Sequence, residues 1–118
     1  MGMKVLLIDD SSLMRKMVSR ALRQAGIDIS EVLEAENGEE GLKALAGGSP
    51  DVILCDWNMP VMDGLEFVKR AQPSPPIVML TTEGTDDKRS EAMRAGAKGY
   101  ITKPFTPEKL EEAIRGVI

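Results

Sequence analysis

Five short apolar runs alternate along this chain with five segments of helical spacing, and that alternation leaves few folds open. Met3-Lys4-Val5-Leu6-Leu7-Ile8 reads as a first buried strand. A helix follows Ser11 and Ser12, with Met14, Met17, Val18, Ala21, Leu22 and Ala25 on its apolar side and Gly26 at its end. Glu31-Val32-Leu33-Glu34-Ala35 is a weaker strand whose mixed polarity suits a sheet edge. Asn37-Gly38 opens a helix carrying Leu42, Leu45 and Ala46, closed by Gly47-Gly48. The stretch 51–56 sets four apolar residues between two aspartates, as expected of a strand buried on both faces. Asn58-Met59-Pro60 cannot continue it, because Pro60 has no N–H to donate. Asp63 then caps a helix with Leu65, Phe67, Val68 and Ala71, which stops before Pro73. Ile77-Val78-Met79-Leu80 is a fourth buried strand, ending at Thr81-Thr82. The fourth helix, about 86–95, is polar, with Ala92, Met93 and Ala95 its few apolar residues. Lys98–Thr102 is a short fifth strand, ending at Lys103-Pro104-Phe105. Thr106-Pro107 starts the last helix, whose stripe is Leu110, Ala113, Ile114 and Val117.

Five βα units with short connections imply an α/β fold: a parallel five-stranded sheet with right-handed crossovers and helices on both faces. The 118 residues are expected to form one domain, 1–118. In a parallel sheet every strand ends on the same edge, and ligands bind outside the carboxyl ends of the strands. Asp9 and Asp10 follow strand one, Asp56 ends strand three, Thr81 follows strand four and Lys103 follows strand five. Three carboxylates brought together repel, and a divalent cation resolves the conflict. Oxygen donors alone select a hard ion, Mg²⁺ or Mn²⁺, to which the backbone carbonyl of Asn58 can add another oxygen. Lys103 and Thr81 suit an anion instead, one as a point charge and the other as a hydrogen-bond donor. A carboxylate so surrounded is equipped to carry a phosphoryl group as an aspartyl-phosphate.

Composition removes several alternatives. The chain has no histidine, so His-based catalysis, metal ligation and pH switching are excluded. A net charge of −4 argues against nucleic-acid binding through this chain. No apolar run is long enough to span a membrane, and no signal-peptide pattern opens the sequence. The single cysteine, Cys55, sits in an apolar run and reads as a small core residue, which suits a reducing cytoplasm. Phe67, Phe105, Trp57 and Tyr100 are the only aromatic residues, so the core is aliphatic, with eight methionines as fillers.

Four motifs in order carry a family resemblance over essentially the whole chain. They are Val-Leu-Leu-Ile-Asp-Asp-Ser near the start, Asp-Trp-Asn-Met-Pro-Val-Met-Asp-Gly at 56–64, Thr81-Thr82, and Gly-Tyr-Ile-Thr-Lys-Pro-Phe at 99–105. Together they resemble a response-regulator receiver domain, and most nearly the single-domain chemotaxis regulators. The resemblance implies the doubly wound, flavodoxin-like (βα)5 fold with sheet order 2-1-3-4-5. It implies that Asp56 accepts a phosphoryl group from a histidine-kinase phosphohistidine, with Mg²⁺ held by Asp9, Asp10, Asp56 and the Asn58 carbonyl. Lys103 would neutralise the phosphoryl charge, Thr81 would move to bond it, and Tyr100 would swing inward behind Thr81. The face of helix four, strand five and helix five would then change shape for a downstream target protein. Asn58 and Glu83 match two variable positions that tune dephosphorylation. Such a protein is a self-catalysing phosphoacceptor switch rather than an enzyme acting on an external substrate, expected in the cytoplasm as a monomer or weak dimer. The family often has a cis bond before the proline matching Pro104.

Plainer readings compete at each position. Asp9 and Asp10 could cap the first helix, and Asp56 could be a turn aspartate. Thr81 could bond its own backbone, with Thr82 its rival for the role; Lys103 could be a surface cation or a structural ion pair with the acids. Tyr100 could be a static ring at the core edge. Trp57 is expected to be a partly exposed loop residue. The polar fourth helix is expected to be a partner surface rather than merely a solvated face. At the level of function, the alternatives are a receiver module of a larger regulator and a receiver that binds proteins without phosphorylation. An aspartyl phosphohydrolase of the haloacid-dehalogenase kind would show Asp-x-Asp at its first strand and a cap domain. A flavodoxin-like binder would need a glycine and hydroxyl loop where Asp9-Asp10 stands.

Overall fold

The computed structural model describes residues 2–118. Ten elements alternate without exception: β1 (Met3–Ile8), α1 (Ser12–Gln24), β2 (Ile29–Ala35), α2 (Gly38–Ala46), β3 (Val52–Cys55), α3 (Gly64–Ala71), β4 (Ile77–Thr81), α4 (Asp86–Ala95), β5 (Gly99–Thr102) and α5 (Pro107–Arg115). The strands form one parallel sheet in the order β2-β1-β3-β4-β5. This is the doubly wound, flavodoxin-like arrangement. The chain winds first towards β2 and then returns towards β5, so the reversal falls between β1 and β3, the kind of crevice in which such folds bind ligands.

Side chains along each strand point alternately to the two faces, and both faces are covered. Val5 and Leu7 of β1, with Val52, Leu54, Val78 and Leu80, pack against Val18 and Leu22 of α1 and Leu110 and Ile114 of α5. Leu6 and Ile8, with Ile53, Ile77 and Met79, pack on the opposite face against Phe67 and Val68 of α3, Ala92 of α4 and the half-buried Leu42 of α2. Burying each large aliphatic or aromatic side chain of this kind contributes about 1.5–3 kcal/mol.

All five helices begin at a side-chain cap. Ser11, Asn37, Asp63, Thr85 and Thr106 accept the backbone N–H of Met14, Glu40, Glu66, Lys88 and Lys109 respectively. Each cap satisfies an otherwise unpaired donor and is worth about 1 kcal/mol.

Several boundaries differ from those expected. β2 begins two residues earlier, because Met3 and Ile29 pair before a register shift. β3 loses both aspartates. Asp51 instead exchanges two 2.7 Å bonds with Lys4, donating its N–H to the Lys4 carbonyl and accepting the Lys4 N–H on its carboxylate. β5 starts at Gly99 rather than Lys98. Met17 keeps helical spacing but is 49% exposed, so the buried stripe of α1 is narrower than its sequence suggests. The Lys103–Pro104 peptide bond is cis, as the family resemblance implied, and so is Gln72–Pro73.

Candidate functional site

The ladder of the sheet continues past the strand ends and fixes the backbone of the site. Asp9 donates its N–H to Ala35 (3.0 Å), Asp56 to Ile8 (2.9 Å) and Lys103 to Thr81 (2.8 Å). Residues far apart in sequence are therefore placed by backbone bonds before any side chain meets. Asp9, Asp10 and Asp56 each offer a carboxylate oxygen within 4.8 Å of the others. Asp9 and Asp56 are buried, whereas Asp10 is exposed. Lys103 Nζ lies 2.9 Å from Asp9 Oδ2 and 3.5 Å from Asp56 Oδ2.

Neither Asp9 nor Asp10 caps α1, since Ser11 does so. Asp9 Oδ1 accepts the Ser11 N–H at 2.9 Å, leaving Oδ2 for Lys103. Asp56 Oδ1 accepts the Trp57 N–H at 2.7 Å. Burial raises the pKa of the Asp56 carboxyl from its ordinary value. Lys103 opposes that shift, Asp9 adds to it, and the Trp57 N–H and Thr81 hydroxyl pull downward. The neighbouring Cys55 thiol is raised well above its ordinary value, first by burial and then by Asp56, which leaves it protonated and inert.

Thr81 is fully buried, and its Oγ1 accepts the Glu83 N–H at 3.3 Å. Thr82 is exposed, so burial favours Thr81 for the role the two residues could share. Tyr100 is buried with its ring inward, and its hydroxyl donates to the Glu83 carbonyl. Glu83 thus joins Thr81 to Tyr100 through its backbone alone. Asn58 is exposed on the loop past Asp56.

That loop turns tightly. Met62 donates its N–H to the Pro60 carbonyl at 2.7 Å around Val61, whose φ is 69°. This is a γ-turn of the strained kind, occupied by a β-branched residue 76% exposed to solvent. The turn returns the chain so that Gly64 donates to the Trp57 carbonyl at 2.8 Å.

Two features were not foreseen in the sequence. Trp57 is 5% exposed rather than a partly exposed loop residue. It packs with Phe67 and Met79, and Lys88 of α4 lies 4.8 Å over its ring. Its place directly after a buried strand was the available signal. Arg15 donates through one guanidinium nitrogen to the Asp9 carbonyl and through Nε to Glu34 at 2.7 Å. A lone arginine one turn into α1 looked like any surface cation.

The donor set fits a hard divalent cation: three carboxylates gathered at one point, no histidine in the chain, and a sole cysteine held protonated.

Comparison with known proteins agrees with this geometry. The family model described as the response regulator receiver domain matches residues 5–115. The chain is 42% identical over 122 aligned positions to the chemotaxis protein CheY1 of Helicobacter pylori, covering 98% of this chain and 97% of that protein. It is 43% identical to a chemotaxis protein CheY homolog of Campylobacter jejuni, covering 98% and 92%. The solved structure of chemotaxis protein CheY4 of Vibrio cholerae superposes with a TM-score of 0.88 at 42% identity, over the full length of both chains. Carrying the receiver sheet, the acidic cluster at its switch point and a family match from strand one to helix five, this chain belongs to the response regulator receiver domains.

Proposed function

We propose that this protein is a phosphoacceptor switch of two-component signalling, and that Asp56 is the acceptor. The observation that carries this reading is the convergence of Asp9, Asp10, Asp56 and Lys103, from three strand ends, on one point. An oxygen of Asp56 attacks the phosphorus of a phosphohistidine on a histidine kinase. The new O–P bond forms as the P–N bond breaks, and the imidazole leaves with the electron pair and takes up a proton. Asp9, Asp10, Asp56 and the Asn58 carbonyl would hold Mg²⁺, with Mn²⁺ as the substitute. When bound there, it would supply neutralisation of the charge that develops on the phosphoryl oxygens. Lys103 already lies beside Asp56 and is placed to pair with the phosphoryl group.

Thr81 supplies the hydroxyl donor. When it turns towards the phosphoryl group, the Glu83 N–H loses its acceptor, and the Glu83 carbonyl to which Tyr100 donates is disturbed. The effect reaches the α4–β5–α5 face, where a downstream protein reads it. Asn58, two residues past Asp56, and Glu83, two residues past Thr81, set how readily water removes the phosphoryl group. Because the phosphoryl group ends on its own Asp56, the protein is a switch that catalyses its own phosphorylation and dephosphorylation rather than an enzyme. The chemotaxis relatives support a role in chemotaxis, and we propose that the protein acts in the cytoplasm as a monomer or weak dimer.

Intact mass after incubation with Mg²⁺ and a small phosphoramidate tests the reading. Gain of one phosphoryl group by wild type, and none by Asp56→Asn, is expected. Gain by both proteins would assign the acceptor elsewhere. No gain by wild type, with Mg²⁺ binding confirmed by Trp57 fluorescence, would make this a receiver that binds partners without phosphorylation.

A further inference from the structure

Helix α4 is short of apolar anchors. Only Ala92 is buried in it, and Met93 is exposed. Two consecutive cations supply other contacts. Lys88 Nζ lies 4.8 Å from the ring centroid of Trp57, and the Arg89 guanidinium carbon lies 5.2 Å from that of Tyr100. Both fall within the range of cation–π attraction. Among the described residues neither cation forms an ion pair. Both sit in the first turns of a helix that begins at Asp86, where the positive end of the helix dipole favours acids and disfavours lysine and arginine. Asp86 and Asp87 obey that rule; Lys88 and Arg89 break it, and the rings offset the cost.

Each ring belongs to a residue tied to the surroundings of the acceptor. Trp57 donates its backbone N–H, not its indole, to Asp56 Oδ1. Tyr100 donates to the Glu83 carbonyl, and Glu83 donates its N–H to Thr81. We propose that Lys88 and Arg89 are paired coupling residues, through which the states of Asp56 and Thr81 set the position of helix α4. The inference rests on the phosphoacceptor reading above and deepens it. Lys88 reports through Trp57 on Asp56, and Arg89 reports through Tyr100 and Glu83 on Thr81. Both are positioning residues, since their contacts are to the rings and not to the acceptor. A helix held this way, with Ala92 its single buried residue, can shift at small cost, because sliding a cation over the face of a ring repacks little of the core.

The experiment is amide hydrogen exchange over residues 86–95 in the full chain, with and without Mg²⁺ and beryllofluoride as the phosphoryl mimic. Trp57 fluorescence follows mimic binding in parallel. Three proteins are compared: wild type, Lys88→Met with Arg89→Met, and Lys88→Arg with Arg89→Lys. The methionine pair keeps the long side chains and removes the charges. It is expected to exchange about fivefold faster in α4, as loss of two exposed cation–π contacts implies. Its α4 exchange should no longer respond to beryllofluoride, although the mimic still binds, its midpoint moving only by the factor that the lost coupling supplied. The arginine and lysine pair should restore the wild-type response. The helix dipole acting alone predicts the opposite sign, slower exchange once the cations are gone. Slower or unchanged exchange in the methionine pair, or an undiminished response to beryllofluoride, would overturn the proposal. So would a wild-type α4 that ignores the mimic while binding it. A wild type that does not bind the mimic at all would instead remove the phosphoacceptor reading, and this inference with it.

Discussion

Lys103 Nζ donates to Asp9 Oδ2 at 2.9 Å across 94 positions of sequence, and the same ammonium lies 3.5 Å from Asp56 Oδ2. One cation therefore serves two of the three gathered carboxylates. Both ends of the contact are nearly closed to water, so it is worth more than a surface pair and costs more to break.

Lys103→Met should therefore destabilise the metal-free protein by about 3 kcal/mol, the usual cost of stranding buried charge. Added Mg²⁺ should recover much of the loss, because a ligand that binds only the folded state stabilises it by mass action. Metal binding should persist while beryllofluoride binding weakens. Thermal melting with and without Mg²⁺ checks this. A variant that melts like wild type in chelator would show that the contact carries no weight.

Asp56 gives a pH dependence of definite sign. Its folded-state value is raised by burial above the ordinary 3.8. Its contribution to stability is thus fully present below about pH 3.8, where both states are protonated, and is lost as pH rises through the raised value. Without metal, Asp56→Asn should be more stable than wild type at neutral pH, and the difference should shrink as pH falls towards the ordinary carboxylate range. Urea unfolding of both proteins across pH measures it. A wild type more stable than the variant at pH 7 would contradict the raised value.

Gly64 has no room for a side chain. A Cβ there would overlap the Asp56 carbonyl oxygen and lie 2.9 Å from Trp57 Cα, both of them backbone atoms that cannot turn aside. Gly64→Ala should cost about 1–3 kcal/mol and weaken acceptance of phosphoryl from a phosphoramidate, because the backbone of the acceptor itself must move. Unfolding and intact-mass measurements on one preparation test both effects.

Val61 runs the other way. It is exposed and holds a φ of 69° that β-branched residues rarely adopt. Val61→Gly should stabilise the fold by about 1 kcal/mol, the relieved strain exceeding the entropy that glycine adds to the unfolded chain. Denaturant midpoints at constant slope are the readout. Destabilisation would mean the side chain makes contacts that outweigh the strain.

Much of the fold was legible because its signals are local. Buried parallel strands read as apolar runs, and four of the five helix caps stood where Ser11, Asn37, Asp63 and Thr106 announced a start. The carboxylates were legible for a topological reason: parallel strands all end on one edge, so Asp9, Asp10, Asp56 and Lys103 had to come near one another.

Other features had no local signal. The spacing of Met17 suggests a buried face, yet whether a helix turns that position inward depends on the width of the neighbour it packs against. That Lys88 covers the ring of Trp57 depends on a helix formed later in the chain. Arg15 became part of the site only when β2 brought Glu34 alongside α1. The sequence by itself determined the alternation of elements, the edge of the sheet that carries chemistry and the acids gathered there, because periodicity, caps and topology act through near neighbours and one handedness rule. Only the tertiary structure decided which cation meets which carboxylate, which ring each α4 cation covers, and how far burial raises Asp56. Those depend on distances between segments that no local pattern encodes.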